Sequence, residues 1–326
     1  MKKIGGFFFG ICILLFLGGN VMNRNQNVGK FEDLTITQTE FHMQIKNHLA
    51  NVKNRYKNEQ ITGSLAENKK AIEELQTASW ERAIWDKAIF FIAKKEGIGD
   101  FTSYAEIVNT MADENKQREE KISKGEIVYG LSRFGLNEFY GHLLAETKTS
   151  LIKKLSQKNG PLFCSDQDVY TRFQTNKEEW LRAGTNYRLT KVSLPKDSKE
   201  YSLFQNSEYP SPEEWLKHTP EAKQNEEYIS LAEVQSLNAY QQEKMNKIAD
   251  LQVGSCSALI DNGANVYFYR LEEIIVNEDE ALEKNYEKIK QTIINEKFEA
   301  YVQSVISSSR TTKSERRLKE AILQVI

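Results

Sequence analysis

The sequence predicts a mainly α-helical protein with a small α+β domain inserted into it, behind an N-terminal membrane anchor. Three observations carry that expectation. All five prolines, Pro161, Pro195, Pro210, Pro212 and Pro220, fall in one central window, so both flanks are free of the residue that breaks helices. In the flanks, apolar positions recur at helical spacing behind Ser or Thr capping signals. Residues 187–195 and 253–274 instead read as strands, the second of them folded about a turn.

The chain has 326 residues, 40% apolar and 28% charged, which is enough for one or two ordinary cores. A net charge of −2 gives no general attraction to nucleic acid. Cys12, Cys164 and Cys256 have neither CxxC spacing nor an adjacent histidine, which argues against zinc. Spacing alone leaves one disulfide open, but two separate, partly buried thiols are the simpler reading. No cofactor is implied, and nothing in the sequence bears on oligomeric state.

The elements follow in order. After Lys2 and Lys3, residues 4–22 form a run of 19 without charge, ahead of Arg24. At about 1.5 Å rise per residue this nearly spans a hydrocarbon core of about 30 Å, and it exceeds a usual signal-peptide core of roughly 7–15 residues. An uncleaved anchor over residues 1–23 fits best, with cleavage near Gly18 and Gly19 the alternative. In either case the two lysines hold the N-terminus in the cytoplasm and the body is exported.

Thr37 and Glu40 form a capping box that opens a helix with Phe41, Ile45, His48, Leu49 and Val52 on one face. A second amphipathic stretch carries Ile72, Leu75, Ala83, Ile84, Ala88 and Phe91 and stops at Gly97. Ser103 and Glu106 box a third, charge-rich helix that ends near Gly125. A fourth runs from Leu136 toward Gly160, and Ser165 with Asp168 opens a short fifth.

In the central window, "YRLTKVSLP" alternates as a strand up to Pro195. Residues 196–211 then read as a polar loop, "PEEWLKHT" as a helical turn and "NAYQQEKMNKIADL" as a helix. "SALI" and "NVYFYRL" flank the turn signal "DNGA". Acids at 277–280 sit at the positive end of a long C-terminal helix, where they favour the helix dipole; a Ca²⁺ loop is the weaker alternative. That helix carries Leu282, Tyr286, Ile289, Ile293, Phe298, Tyr301, Val302 and Val305, a stripe that needs a partner.

This order of parts resembles the exported parvulin-type foldases of the PrsA and SurA kind. "LTITQTEF" is similar to the family's opening strand-to-helix signature, although "FEDL" replaces the usual Asn-Gly before it. "WDKAIFFIAKKEGI" and "CSDQDVYTRFQTNKEEW" resemble the helices that precede the parvulin unit. "YRLTKVSL" sits at the place of that unit's first strand. "LQVGSCSALI" resembles its leucine-x-valine-glycine-x-x-serine turn, and the charge-rich third helix resembles a segment of Gram-positive members.

The resemblance implies a helical chaperone domain at 30–181, a parvulin-like domain at 182–274, and a C-terminal helix at 275–326 that completes the first. It also implies unfolded exported polypeptides as partners and a bacterial, Gram-positive cell-membrane setting, in keeping with the reading of residues 4–22 as a membrane segment.

Family members that isomerise prolyl bonds resemble one another in two strand histidines around a cysteine or aspartate. Twisting an amide with a barrier of about 20 kcal/mol needs desolvation and placed donors rather than a nucleophile. Here His42, His48, His142 and His218 all lie outside both matching strands. Lys191 or Thr190 stands in the first strand and Tyr267 or Phe268 in the last. Cys256 has no histidine in its segment, and "NEEYISLAEVQSL" lacks the family's glycine pair.

The expectation is a degenerate parvulin unit without appreciable isomerase activity; an active prolyl isomerase and a helical scaffold for one membrane or envelope partner are the rivals. Trp80, Trp85, Phe90 and Phe91 form the densest aromatic group outside the anchor. They read as core, or in part as a shallow apolar cradle for clients.

Overall fold

The computed structural model describes residues 26–58, 65–99, 103–206, 211–232 and 239–326. The expected anchor lies outside these residues, and among the described residues no helix is long and apolar enough to cross a membrane. The chain is mainly α with two small antiparallel sheets. It divides into two compact units, one made of residues 1–163 and 294–326, the other of residues 164–293. The division thus falls outside the 182–274 expected from sequence.

The first unit opens on a hairpin, β1 (Asn27–Phe31) and β2 (Leu34–Thr37), to which β7 (Thr311–Lys313) adds from the far end of the chain in the order β2-β1-β7. Gly29 permits this closure, because a Cβ there would overlap the Thr312 carbonyl oxygen and the Trp80 ring. The turn residue Glu32 ties the same end down. Its N–H donates to the Arg310 carbonyl at 2.9 Å and its carboxylate accepts from Arg310 N at 2.8 Å.

Helices α1 (Gln38–Asn58), α2 (Lys69–Lys95), α3 (Tyr104–Ser123) and α4 (Leu136–Leu155) follow. The box at Ser103 and Glu106 is complete in both directions. The one at Thr37 is half made. Thr37 Oγ1 accepts from Glu40 N, but the Glu40 side chain turns inward instead. Phe31, Ile36, Phe41, Ile45, Leu75, Phe90 and Leu151 form a buried core, which Phe298 and Val302 of the returning helix complete. Burial of side chains of this size contributes roughly 1.5–3 kcal/mol each.

The second unit begins with α5 (Asp166–Thr175), whose Ser165 and Asp168 box is also complete, and α6 (Lys177–Leu181). Its sheet has the order β4-β3-β6-β5, built from β3 (Thr185–Pro195), β4 (Lys223–Ser230), β5 (Ile260–Asp261) and β6 (Asn265–Val276). Residues 196–211 are not simply a polar loop. They contain α7 (Tyr201–Asn206), whose Phe204 is fully buried against Trp215 of α8 (Pro212–His218) and Phe268 of β6. Helix α9 (Ala239–Ala249) covers the opposite face through Met245 and Ile248.

The expected turn forms as read. Gly263 takes φ 90°, Asp261 Oδ1 accepts from Gly263 N, and Asn262 Oδ1 accepts from Asn265 N. Helix α10 (Glu278–Ser308) is capped by Asn277, whose side chain accepts from Glu280 N. Its apolar stripe is divided between the units, residues through Ile293 belonging to the second and Ile294 onward to the first. The C-terminal region is not one helix: α10 ends at Ser308, and β7 separates it from α11 (Glu315–Leu323).

Candidate functional site

The sheet of the second unit places the parvulin-like positions on two different faces. On one face, Lys191 of β3 pairs in register with Tyr269 of β6, and Lys191 Nζ lies 4.7 Å from the Tyr267 ring centroid. Lys191 Nζ also reaches Glu227 Oε1 of β4 at 3.0 Å, and the Tyr269 hydroxyl donates to Glu227 Oε2 at 2.8 Å. A cation, a carboxylate and two aromatic rings therefore satisfy one another on this face.

Phe268 points to the other face. It packs with Val192, Leu194, Phe204 and Trp215, and Cys256 lies against that cluster. Strand alternation dictates this, since residues 267 and 268 must face opposite ways. Lys191 and Tyr267 are thus brought together, while Phe268 and Cys256 are not part of the same group. Burial pushes the Cys256 thiol up from its ordinary range, away from the thiolate that a nucleophile requires.

The turn that leads into β6 has a local cause. Gly254 takes φ 88° and donates to the Leu271 carbonyl at 2.7 Å. Ser257 N then donates to the Tyr269 carbonyl, and the Ser257 hydroxyl accepts from Tyr269 N at 3.0 Å. Glycine and serine at this spacing allow an irregular segment to pair with a regular strand. Sequence reading missed Glu227 and the strand that carries it. That strand is mostly exposed and carries no apolar alternation that would announce it.

The aromatic group of the first unit separates in a similar way. Phe90 is buried, in edge contact with Tyr140, and so cannot meet a client. Phe91 is half-buried, packed against Phe31. Trp80 and Trp85 are also half-buried and line an open cavity of about 690 Å³ with Ile84, Gln303, Ile306 and Thr311. His48, Glu81 and Arg82 also line it, so the depression sets two indole faces beside polar groups and can bury apolar side chains against the former.

Behind the tryptophans is a buried polar cluster that sequence reading did not find. Glu40 is 1% exposed and Lys87 2%. Lys87 Nζ lies 2.8 Å from Glu40 Oε1, which also accepts from the Tyr140 hydroxyl at 3.1 Å. Asp86, 1% exposed, accepts from Gln44 Nε2 at 2.8 Å. Burial pushes the Asp86 carboxyl up to about 7, against the opposing pull of Arg82. Burial, reinforced by the Glu40 charge, likewise raises the Tyr140 phenol well above its ordinary value.

No family model and no curated protein matches the chain. Among solved structures, it is similar to a chain from work on two structurally related SurA-like chaperones of Campylobacter jejuni, the virulence factor PEB4 and a periplasmic protein. The identity is 14% and the TM-score 0.36, over 89% of this chain and 100% of that one. It is also similar to the foldase PrsA of Streptococcus pneumoniae, at 14% identity and TM-score 0.23 over 90% of this chain and 96% of that one. PrsA of Lactococcus lactis gives 12% identity and TM-score 0.25 over 92% and 99%. These neighbours are SurA-like chaperones and PrsA foldases, the group that the sequence resembles.

Proposed function

We propose that the chain is a membrane-anchored, extracytoplasmic protein-folding factor that holds unfolded exported polypeptides. The observation that carries this reading is the open cavity at which the faces of Trp80, Ile84, Trp85 and Ile306 are presented. The order of parts supports it, since a discontinuous helical unit receives a β-rich unit as an insertion. Residues 4–22 supply the anchor, and the bulk of the chain lies outside the membrane.

The insert acts as scaffold or peptide clamp rather than as a strong isomerase. At the strand positions where histidines are expected stand Lys191 or Thr190 and Tyr267 or Phe268, with Lys191 already paired to Glu227. None of these is the imidazole that the resemblance leads one to expect there, and Lys191 is held by Glu227 and the Tyr267 ring.

Full-length protein in detergent should suppress aggregation of several unrelated denatured proteins. If it suppresses none of them, a scaffold for one partner replaces this reading. A protease-coupled assay on a proline peptide should show the uncatalysed isomerisation rate; clear catalysis would instead make the chain an isomerase. Membrane anchoring is tested by alkaline extraction of the expressed chain, which should leave it in the membrane fraction.

A further inference from the structure

The barest large apolar side chains among the described residues lie on the first unit, in the connection between α3 and α4. Ile127 is 77% exposed, Tyr129 85% and Leu131 50%. At such exposure Ile127 and Tyr129 are nearly as open to solvent as in an unfolded chain, so the connection is a convex tip rather than a groove.

The tip is held in shape. Arg118 Nη1 donates to the Tyr129 carbonyl at 3.1 Å and to the Leu131 carbonyl at 2.7 Å, while its guanidinium lies 4.5 Å from the Phe134 ring centroid. Asn115 donates to the Phe134 carbonyl at 2.9 Å and accepts from Phe134 N at 2.7 Å. Gly125 and Gly130 take φ 74° and 80°, which other residues rarely adopt. Collapse of the three apolar side chains onto the core would break these bonds, and a pre-shaped tip loses little freedom on binding. Two of its carbonyls are already met, as an apolar medium demands.

Charge does not choose the partner. Around the tip Glu119, Glu120 and Glu126 balance Lys121, Lys124 and Arg133, which leaves apolar burial as the driving force. The chain's path does choose. With residues 4–22 as the anchor, only residues 23–26 join it to β1, and four residues span at most about 14 Å. The Gln26 carbonyl accepts from Gln38 N, and Gln38 lines a cavity with Tyr104 and Leu136, at the starts of α3 and α4. Leu136 follows Leu131 by five residues, at most about 18 Å of chain. A tilt of the first unit on its short tether therefore brings the tip to the bilayer. A convex apolar tip with an aromatic ring suits lipid, which yields around it, better than a rigid protein surface, which must offer a matching hollow.

We propose that the tip at Ile127, Tyr129 and Leu131 inserts into the interfacial layer of the bilayer to which the chain is anchored. The inference rests on the anchored reading of residues 4–22 and sharpens it, because a second point of contact fixes which face of the first unit is turned to the membrane.

The test uses the full chain reconstituted in vesicles of phosphatidylcholine and phosphatidylglycerol, with Tyr129 replaced by photo-reactive p-benzoylphenylalanine, which keeps an aromatic ring at an exposed position. After irradiation and denaturation, trypsin cleavage after Lys124 and Arg133 releases residues 125–133, and mass spectrometry reads what they have joined. A lipid adduct is expected, at least about tenfold above that from the same probe at Lys153, exposed near the far end of α4. Ile127→Ser with Leu131→Ser, both changes of exposed side chains, should lower the adduct about fivefold or more. Doubling the share of phosphatidylglycerol should change it less than about twofold, since the tip carries no net charge.

A probe that joins a second copy of the chain, or an unfolded polypeptide added to the vesicles, and not lipid, overturns the proposal and makes the tip a protein-binding surface. A lipid adduct no higher than that at Lys153, from a chain that resists alkaline extraction, overturns the proposal and leaves the anchored reading standing. A chain that alkaline extraction releases overturns both.

Discussion

The two units each set a lysine beside a carboxylate and a tyrosine, and the two arrangements differ in burial and in completeness. On the sheet, Lys191 and Glu227 are 23% and 32% exposed, and the tyrosine hydroxyl completes the group. In the helical unit, Lys87 and Glu40 are nearly inaccessible, yet Glu40 Oε2, Gln44 Oε1 and Asp86 Oδ1 have no hydrogen bond among the described residues. A satisfied, solvent-screened group is cheap and chemically quiet. A buried, unsatisfied one is costly and is kept only where something else meets it.

The largest expected effect tests the buried pair. Lys87→Met keeps the volume and leaves the Glu40 charge uncompensated, which should cost about 3–5 kcal/mol. Urea unfolding followed by tryptophan fluorescence would read it. A loss below about 1 kcal/mol would show that the two lysine–glutamate pairs are energetically alike and would collapse the contrast.

Asp86 gives the second effect through pH. Its folded value of about 7 exceeds the ordinary 3.8, so the folded protein holds a proton that the unfolded chain releases between those values. The resulting stabilisation is fully present below about pH 4 and is lost as pH rises through about 7. Over that window it amounts to a few kcal/mol. The groups that set it are Arg82 and Lys87 on α2 and Glu40 and Gln44 on α1, with Tyr140 of α4 bound to Glu40. Asp86→Asn should flatten the dependence of stability on pH between 4 and 7. Equal slopes in the two proteins would mean that Asp86 ionises normally and that its surroundings are wetter than its burial implies.

Much of this contrast could not be read from sequence, for physical reasons. Helices α1 to α4 were legible because caps and apolar spacing are local, and the boxes at Ser103 and Ser165 formed fully. The box at Thr37 failed in part because tertiary burial claimed Glu40, and no local rule reports a partner 47 residues away. Strand β7 and the Gly29 contact join residues nearly 300 positions apart, beyond any local pattern. The resemblance pointed to Lys191 or Thr190 and to Tyr267 or Phe268, but Glu227 was not legible, because its strand is mostly exposed and lacks apolar alternation. Between Tyr267 and Phe268 the sequence did not choose, and one residue of register in a strand is the whole difference between two faces.

A third, smaller effect concerns closure of each unit. Gly29→Ala sets a methyl against the Thr312 carbonyl and the Trp80 ring, and Gly184→Ala sets one against the Asn277 carbonyl. Each should cost about 1–3 kcal/mol, the usual range for forced overpacking. Only the first should also weaken client binding, because it displaces Trp80. Thermal melts paired with aggregation assays separate the two. Equal loss of holding activity in both variants would mean that the tryptophan cavity is not the client surface.

The smallest expected effect is the most informative about the sheet. Lys191→Met removes the cation that stands over Tyr267 and pairs with Glu227. Because both charged groups reach solvent, Glu227 can rehydrate where Glu40 cannot. The cost should therefore stay below about 1 kcal/mol, and aggregation suppression should be unchanged. The same variant bears on chemistry as well. If Lys191 only holds the sheet's aromatic face in place, the proline-peptide assay should read the uncatalysed rate before and after the change. A measurable rate in the unaltered chain that disappears in Lys191→Met would make the lysine a working donor. The quiet face of the molecule would then be its active one.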